Sequence, residues 1–104
     1  MARVPLTVCT GDYHRVRALA DGRIGIEGCD VNYLAMNPEQ AFYRAWNNLE
    51  FDVTELSGSS YILARSTGWD NYIAVPVFPS RMFRHSGIYV RADAGIEKPE
   101  DLKG

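Results

Sequence analysis

The stretch 79–86, PSRMFRHS, carries the densest group of side chains suited to chemistry: two guanidiniums, an imidazole and two hydroxyls. Arginine suits bidentate capture of a carboxylate, and histidine can donate or accept a proton near neutral pH. Arg81, Arg84 and His85 are therefore candidates for anion binding and proton transfer. A solvated loop whose charges serve solubility is the alternative for the same residues.

A second polar group, ELSGSS at 55–60, follows a strand-like run and precedes a helix-like one. Backbone N–H groups at a helix N-terminus, helped by the hydroxyls of Ser57, Ser59 and Ser60, can bind an anion. Helix capping is the alternative, although capping accounts for one serine and not for three. Glu55 lies near the end of an apolar strand, where it is either an acid of the site or an ordinary exposed residue.

A third feature is the turn formed by Gly11, Asp12 and Tyr13, between the first predicted strand and the first predicted helix. If the sheet is parallel, this turn faces the same edge as the serines, and ligands of open α/β sheets bind at that edge. The alternative is a turn that serves only the fold, with Asp12 capping the helix that follows.

The elements that must position these residues alternate between strand-like and helix-like patterns, which predicts an α/β fold. Phe42 and Trp46 have the helical spacing of a core-facing stripe, to which Phe51 also belongs. Pro76 indicates that its strand is a sheet edge or contains a bulge. Cys9 is expected to be a buried small residue. The predicted strands are 6–10, 31–35, 52–56, 72–78 and 87–90, and the predicted helices are 13–21, 38–49, 61–65 and a short start at 99–104.

The composition limits the class of protein. A chain of 104 residues holds one domain at most, and 46% hydrophobic with 23% charged residues is a globular balance. A net charge of −2 argues against a nucleic-acid partner, and no apolar run approaches the roughly 20 residues of a membrane span. The two cysteines and two histidines lack metal-ligand spacing, so no metal site is expected. The N-terminal residues lack the pattern of a secretory signal, which favours a cytoplasmic location.

Four phrases resemble the N-terminal part of the 4,5-dihydroxyphthalate decarboxylase family: LTVCTGDYHRVRALADGRI, FDVTELSGSSYILARS, IAVPVFPSRMFRHSGIYV and IEKPEDLKG. The resemblance runs from about Leu6 to Gly104, and PVFPSRMFRHS is its most specific piece. It implies a fold similar to type 2 periplasmic binding proteins, in which two α/β lobes enclose a ligand cleft. Residues 1–104 would then be an incomplete N-terminal segment of the first lobe, without a second domain, and with a mixed sheet flanked by helices. The short helix start at 99–104 agrees with that expectation.

The resemblance also implies an activity: decarboxylation of 4,5-dihydroxyphthalate, or a similar dihydroxylated aromatic diacid, to protocatechuate without a cofactor. The expected partner is a small aromatic dicarboxylate, and unpaired strand edges would favour a homo-oligomer. A solute-binding protein that delivers a small anion to an ABC-type transporter is the alternative, because the same cleft and arginines suit both. The isolated chain is expected to be inactive, since one lobe cannot enclose a ligand.

Under the decarboxylase interpretation, His85 or Glu55 transfers the proton. The substrate carboxylates are held by Arg81 and Arg84. An anionic oxygen of the substrate is held at the helix start by Ser57, Ser59 and Ser60. The wall of the cleft beside the first strand is formed by Asp12 and Tyr13.

Overall fold

Strands and helices alternate along the chain in the computed structural model, which describes residues 1–83 and 87–103. The strands are β1 (Val4–Thr10), β2 (Cys29–Ala35) and β3 (Val53–Thr54). The helices are α1 (Arg17–Ala20), which continues from a 3-10 turn at His14–Val16, α2 (Pro38–Asn48) and α3 (Gly58–Ser66). A further 3-10 turn spans Pro99–Leu102. The predicted α/β class is confirmed, and three predicted strands and three predicted helices form within a few residues of the expected bounds.

The three strands form one parallel sheet in the order β2-β1-β3. β1 pairs with β2 along its whole length, from Val4 opposite Cys29 to Thr10 opposite Ala35. Its last residues also pair with β3, where Cys9 lies opposite Thr54. Because all three strands run the same way, their carboxyl ends meet at one edge of the sheet.

A small apolar core lies between the sheet and α2. Cys9 is fully buried there against Ala41, Ala45 and Phe51. Two alanines on the inner face of α2 allow the helix to approach the sheet closely, so a thiol is enough to fill the space. The prediction that Cys9 is a buried small residue is confirmed. Partly buried side chains complete the cluster: Leu34, Met36, Phe42, Leu56 and Tyr72.

Local signals explain where α2 begins and ends. The side chain of Asn37 accepts a hydrogen bond from the Glu39 N–H at 2.9 Å, and Pro38 occupies the first turn, where its missing N–H costs nothing. Leu49 ends the helix in a left-handed conformation with φ 53°. The helix therefore matches the prediction for 38–49 to within one residue.

Aromatic side chains attach the segment after α3 to the core. Trp46 and Trp69 have ring centroids 4.5 Å apart, and Trp69 also contacts Tyr72. The Tyr72 hydroxyl donates to the Phe51 carbonyl at 2.8 Å, and the Tyr61 hydroxyl donates to the Tyr72 carbonyl at 3.3 Å. These two bonds anchor the chain at Tyr72, ahead of residues 79–83.

Two predicted strands are wrong. Neither 72–78 nor 87–90 forms a strand in the described residues. The sheet, expected from the resemblance to be mixed, is parallel in those residues. Strand propensity needs a partner backbone to pair with, and Pro76 cannot donate to a ladder. Apolar side chains of both stretches are consequently exposed, among them Ile73 and Tyr89.

The predicted capping of the first helix by Asp12 is also wrong. Tyr13 occupies the N-cap position of the 3-10 turn, and no side chain caps it. Asp12 instead forms an ion pair with Arg17, with 3.2 Å between Oδ1 and Nη2. Within 1–83 and 87–103, no helix has the length and apolar character needed to cross a membrane.

Replacement of Cys9 tests the core. Cys9→Ser places a hydroxyl in a fully buried apolar site, so the free energy of unfolding should fall by about 1–3 kcal/mol. Cys29→Ser is the control because that thiol is only partly buried, and it should change stability by less than about 0.5 kcal/mol. Urea unfolding of the complete gene product measures both. Equal effects of the two substitutions would contradict this account of the core.

Candidate functional site

The carboxyl edge of the sheet brings together Tyr13 and Glu55, which are 42 residues apart in the chain. Glu55 directly follows β3, and its N–H donates to the Cys9 carbonyl at 3.1 Å, continuing the parallel ladder. Tyr13 closes the turn after β1 and donates its hydroxyl hydrogen to Glu55 Oε1 at 2.9 Å. Two residues predicted separately as parts of the site are therefore direct partners.

The second carboxylate oxygen of Glu55 has no such partner. Oε2 is buried, and no hydrogen-bond donor in the described part of the chain reaches it. A buried carboxylate oxygen without a donor is costly, because the water that it loses is not replaced. Glu55 is therefore an acceptor that lacks a donor within the described residues.

Gly11 allows the tyrosine to take this position. A Cβ built at Gly11 would lie 2.7 Å from both Cζ and the hydroxyl oxygen of Tyr13. The Tyr13 phenol therefore lies over the backbone of the turn, in the space that the side chain of any residue larger than glycine at position 11 would fill. Glycine is needed here for close approach.

The environment makes the Tyr13 phenol harder to ionise. Burial raises its pKa, and the hydrogen bond to Glu55 and the negative charge of that carboxylate add to the effect. The Ser80 hydroxyl and the Arg15 guanidinium act in the opposite direction. Tyr13 therefore stays a hydrogen-bond donor to Glu55 across the neutral pH range.

Arg15 connects the first turn to the arginine-rich segment. Its Nε donates to the Pro79 carbonyl at 3.1 Å, and its Nη2 donates to the same oxygen. The guanidinium carbon also lies 5.6 Å from the centre of the Tyr13 ring. Arg15 thus holds the beginning of the segment 79–83 beside Tyr13. Sequence reasoning missed this contact, which joins residues 64 positions apart.

A partly buried chain of polar groups supports the same turn. The Thr10 hydroxyl donates to the Gly11 carbonyl at 2.8 Å and shares a short hydrogen bond with the Tyr33 hydroxyl. Burial raises the pKa of Tyr33, while its bond to Thr10 lowers it. Sequence reasoning also missed this pair. In the observed register, Tyr33 on β2 lies opposite Val8 on β1. Alternation along β1 therefore places Tyr33 on the same face as Thr10.

Of the three serines at the start of α3, Ser57 has a capping role. Ser57 caps the helix by accepting from the Ser60 N–H at 3.4 Å, and its hydroxyl lies 3.2 Å from that of Ser59. Ser60 lines a shallow recess with Trp46 and Leu63. Capping thus accounts for Ser57, whereas Ser59 and Ser60 have exposed side chains.

Asp12 and Arg81, two further predicted site residues, make contacts with other groups than Glu55. Asp12 is exposed and paired with Arg17, and Arg81 is exposed, with its Nε 3.4 Å from the Phe78 carbonyl. Arg84 and His85 lie outside the described residues. In the described ranges, no three acidic, histidine or cysteine side chains form a group that could hold a metal ion.

Comparison with known proteins gives close relatives along the whole chain. A 4,5-dihydroxyphthalate decarboxylase from Comamonas testosteroni is 49% identical over 104 residues, which are 100% of this chain and 32% of that protein. A 4,5-dihydroxyphthalate decarboxylase from Pseudomonas putida is 47% identical over the same length, which is 40% of that protein. The resemblance predicted from the four phrases is confirmed, and the chain spans between 32% and 40% of the length of these relatives. No protein-family model matches the chain.

Gly11→Ala tests the close approach of Tyr13. The added methyl group clashes with the far end of a flexible side chain, so the phenol should swing away from Glu55 while the fold is retained. A crystal structure of the variant should show Tyr13 Oη more than about 3.5 Å from Glu55 Oε1, beyond hydrogen-bond range. Gly25→Ala, which meets no atom within 4 Å, is the control and should leave the pair intact. An unbroken Tyr13–Glu55 bond in Gly11→Ala would refute the role given to glycine.

Proposed function

We propose that this chain forms part of an enzyme that decarboxylates 4,5-dihydroxyphthalate or a similar dihydroxylated aromatic diacid, giving protocatechuate. The observation that carries the proposal is the Tyr13–Glu55 pair at the carboxyl edge of the sheet, in which the second carboxylate oxygen has no donor among the described residues. Support comes from relatives of that name, which are about half identical along the whole chain.

The reaction explains why an acceptor is needed. Direct loss of CO2 from an arene leaves an electron pair in an sp2 orbital that the ring cannot delocalise. Protonation of the ipso carbon avoids this carbanion. In this substrate each carboxylate has a ring hydroxyl para to it, and that oxygen can donate electrons as the ipso carbon takes up a proton. A base at the hydroxyl and an acid at the carbon are the two groups required.

Glu55 suits the base. As the hydroxyl O–H bond breaks, its proton passes to the Glu55 carboxylate and its electron pair moves through the ring, while a separate acid protonates the ipso carbon. The C–C bond then breaks, CO2 leaves, and the proton returns from Glu55 to the phenolate oxygen. His85 is our candidate for the acid, and Tyr13 holds Glu55 in place through Oε1.

The arginines bind the carboxylates in this proposal. A cation that held the leaving carboxylate equally in ground and transition states would not raise kcat, so the spectator carboxylate is the better partner for Arg81 or Arg84. The hydroxyl of Ser59 is exposed at the start of α3 and is a candidate for a further substrate oxygen. Asp12 and Ser60 are proposed only to border the site.

We propose further that the fold is the first lobe of a two-lobed, periplasmic-binding-protein-like architecture. The parallel sheet and its shared carboxyl edge are compatible with that arrangement. The apolar stretches 72–78 and 87–90 are exposed and would suit pairing with strands from elsewhere in a longer protein. A second lobe would close over Tyr13 and Glu55 and exclude water from the reacting ring.

The direct test is turnover by the protein from the complete gene. Incubation with 4,5-dihydroxyphthalate should release CO2 and form protocatechuate in equal amounts. Tight binding of the diacid without CO2 release would overturn the proposal in favour of a solute-binding protein.

Tyr13→Phe tests the pair itself. Loss of the hydroxyl removes a hydrogen bond to a charged group, and such bonds contribute about 1.5–3 kcal/mol. We expect kcat/KM to fall about 10-fold or more. Tyr43→Phe is the control because Tyr43 is exposed on the outer face of α2, and it should retain the activity of the unaltered protein. If Tyr13→Phe is as active as Tyr43→Phe, the pair has no part in the reaction.

A further inference from the structure

We propose that Arg15 is a positioning residue for carboxylate binding, because it holds Pro79 beside the turn after β1 and so places Arg81 at the carboxyl edge of the sheet. The inference rests on the proposed function for the class of ligand, an aromatic carboxylate. It adds a residue that acts through Arg81 without touching the ligand. Arg81 meets the carboxylate, and Arg15 sets the position of the segment that carries Arg81.

The first support is the geometry of the Arg15 contact. Nε and Nη2 of one planar guanidinium both donate to the Pro79 carbonyl oxygen. The guanidinium carbon also lies 5.6 Å from the centre of the Tyr13 ring, within the range of a cation–π contact. Arginine combines an aromatic contact with two hydrogen bonds from one rigid group, which lysine cannot do. A single side chain thus connects the turn after β1 to the segment that begins at Pro79.

The second support is that the backbone of this segment has few other attachments. No backbone–backbone hydrogen bond in the ranges 1–83 and 87–103 involves residues 79–82. The chain before it is anchored where the Tyr61 hydroxyl accepts from the Ala74 N–H at 3.2 Å. The following attachments to another element are those of Arg15 to Pro79 and of the Ser80 hydroxyl to Tyr13. Arg15 therefore supplies much of the order of residues 79–82.

The third support is the state of Arg81. The other arginines in the described part of the chain use their guanidinium groups on carboxylates or on backbone carbonyls: Arg3, Arg15, Arg17, Arg23, Arg44, Arg65 and Arg91. Arg81 is exposed, and within the same ranges only its Nε has a hydrogen bond, to the Phe78 carbonyl. Its two terminal nitrogens remain for a carboxylate, which a guanidinium binds through two parallel hydrogen bonds.

The short distance along the chain links the two arginines. Two residues span at most about 7 Å, so the backbone of Arg81 lies close to the carbonyl that Arg15 holds. Without Arg15, a ligand would have to order the segment as it binds, and the entropy lost in that step lowers affinity. With Arg15 in place, part of that entropy is already lost before the ligand arrives.

The experiment measures the dissociation constant of phthalate by calorimetry on the complete gene product. Phthalate has two carboxylates and lacks the ring hydroxyls that the proposed reaction needs, so it is not consumed. Arg81→Ala should weaken binding about 10-fold or more, because a charge-assisted hydrogen bond is lost. Arg15→Gln should weaken it about 5-fold through the loss of order in the segment. Arg15→Lys keeps the charge and one donor, so it should fall between Arg15→Gln and the unaltered protein.

The double variant Arg15→Gln/Arg81→Ala shows whether one arginine acts through the other. If it does, the double variant should bind phthalate as weakly as Arg81→Ala alone and no more weakly. A loss equal to the product of the two single losses would show that Arg15 acts independently of Arg81, and it would overturn the inference.

Arg3→Gln is the matched control. Arg3 makes the same kind of contact at the opposite edge of the sheet, where its Nε and Nη2 both donate to the Cys29 carbonyl. The variant should leave phthalate binding unchanged. Equal losses in Arg3→Gln and Arg15→Gln would reflect a general effect on the fold and would contradict a positioning role for Arg15.

Turnover separates this inference from the proposed function. With 4,5-dihydroxyphthalate, Arg15→Gln should raise KM about 5-fold and change kcat by less than about 2-fold, because the spectator carboxylate is bound alike in the ground and transition states. A fall in kcat at unchanged KM would overturn the inference and leave the reaction standing. Coupled effects of Arg15 and Arg81 on phthalate binding, in a protein that never releases CO2, would overturn the reaction and leave the inference standing.

Discussion

The parallel pairing of β1 with both of its neighbours is the constraint on which the rest of the structure depends. Asp52 fixes the register on the β3 side, because its N–H donates to the Thr7 carbonyl at 3.0 Å while its carboxylate accepts from the Thr7 N–H at 2.8 Å. A slip of one residue would turn the side chain of Glu55 to the other face of the sheet. With this register, the turn after β1 lies beside the residue after β3. The Tyr13 phenol therefore contacts the Glu55 carboxylate.

The contact between Tyr13 and Glu55 creates a polar site beside a small apolar core. Cys9, Ala41, Ala45 and Phe51 are the buried residues of the main cluster, and the polar chain of Thr10 with its neighbours lies directly beyond Cys9 on β1. Each of those polar groups is satisfied by another, which limits the cost of burying them. Oε2 of Glu55 is the exception. The unmet hydrogen bonding of this buried oxygen is a cost that the fold carries.

Local patterns in the sequence were enough to predict α2, α3, β1 and β2, because caps, apolar periodicity and β-branched runs act within a few residues. They also placed Tyr13 and Glu55 at one edge, since a parallel sheet brings strand ends together. They could not predict the contact of Arg15 with Pro79, which depends on how the chain returns over 64 residues. They failed for 72–78, where β propensity is strong but no neighbouring backbone in the described residues pairs with it.

The carboxylate at the strand ends also decides how the other candidate groups can act. Glu55 lies two residues before Ser57, which caps α3. Ser57 uses its hydroxyl for the Ser60 N–H, so the start of this helix has less to offer a second anion than its three serines suggest. An anion placed at the start of this helix would also be repelled by the negative charge of Glu55. Arg15 donates to the Pro79 carbonyl and so holds the beginning of the segment 79–83 beside the turn of Tyr13, at the same edge of the sheet.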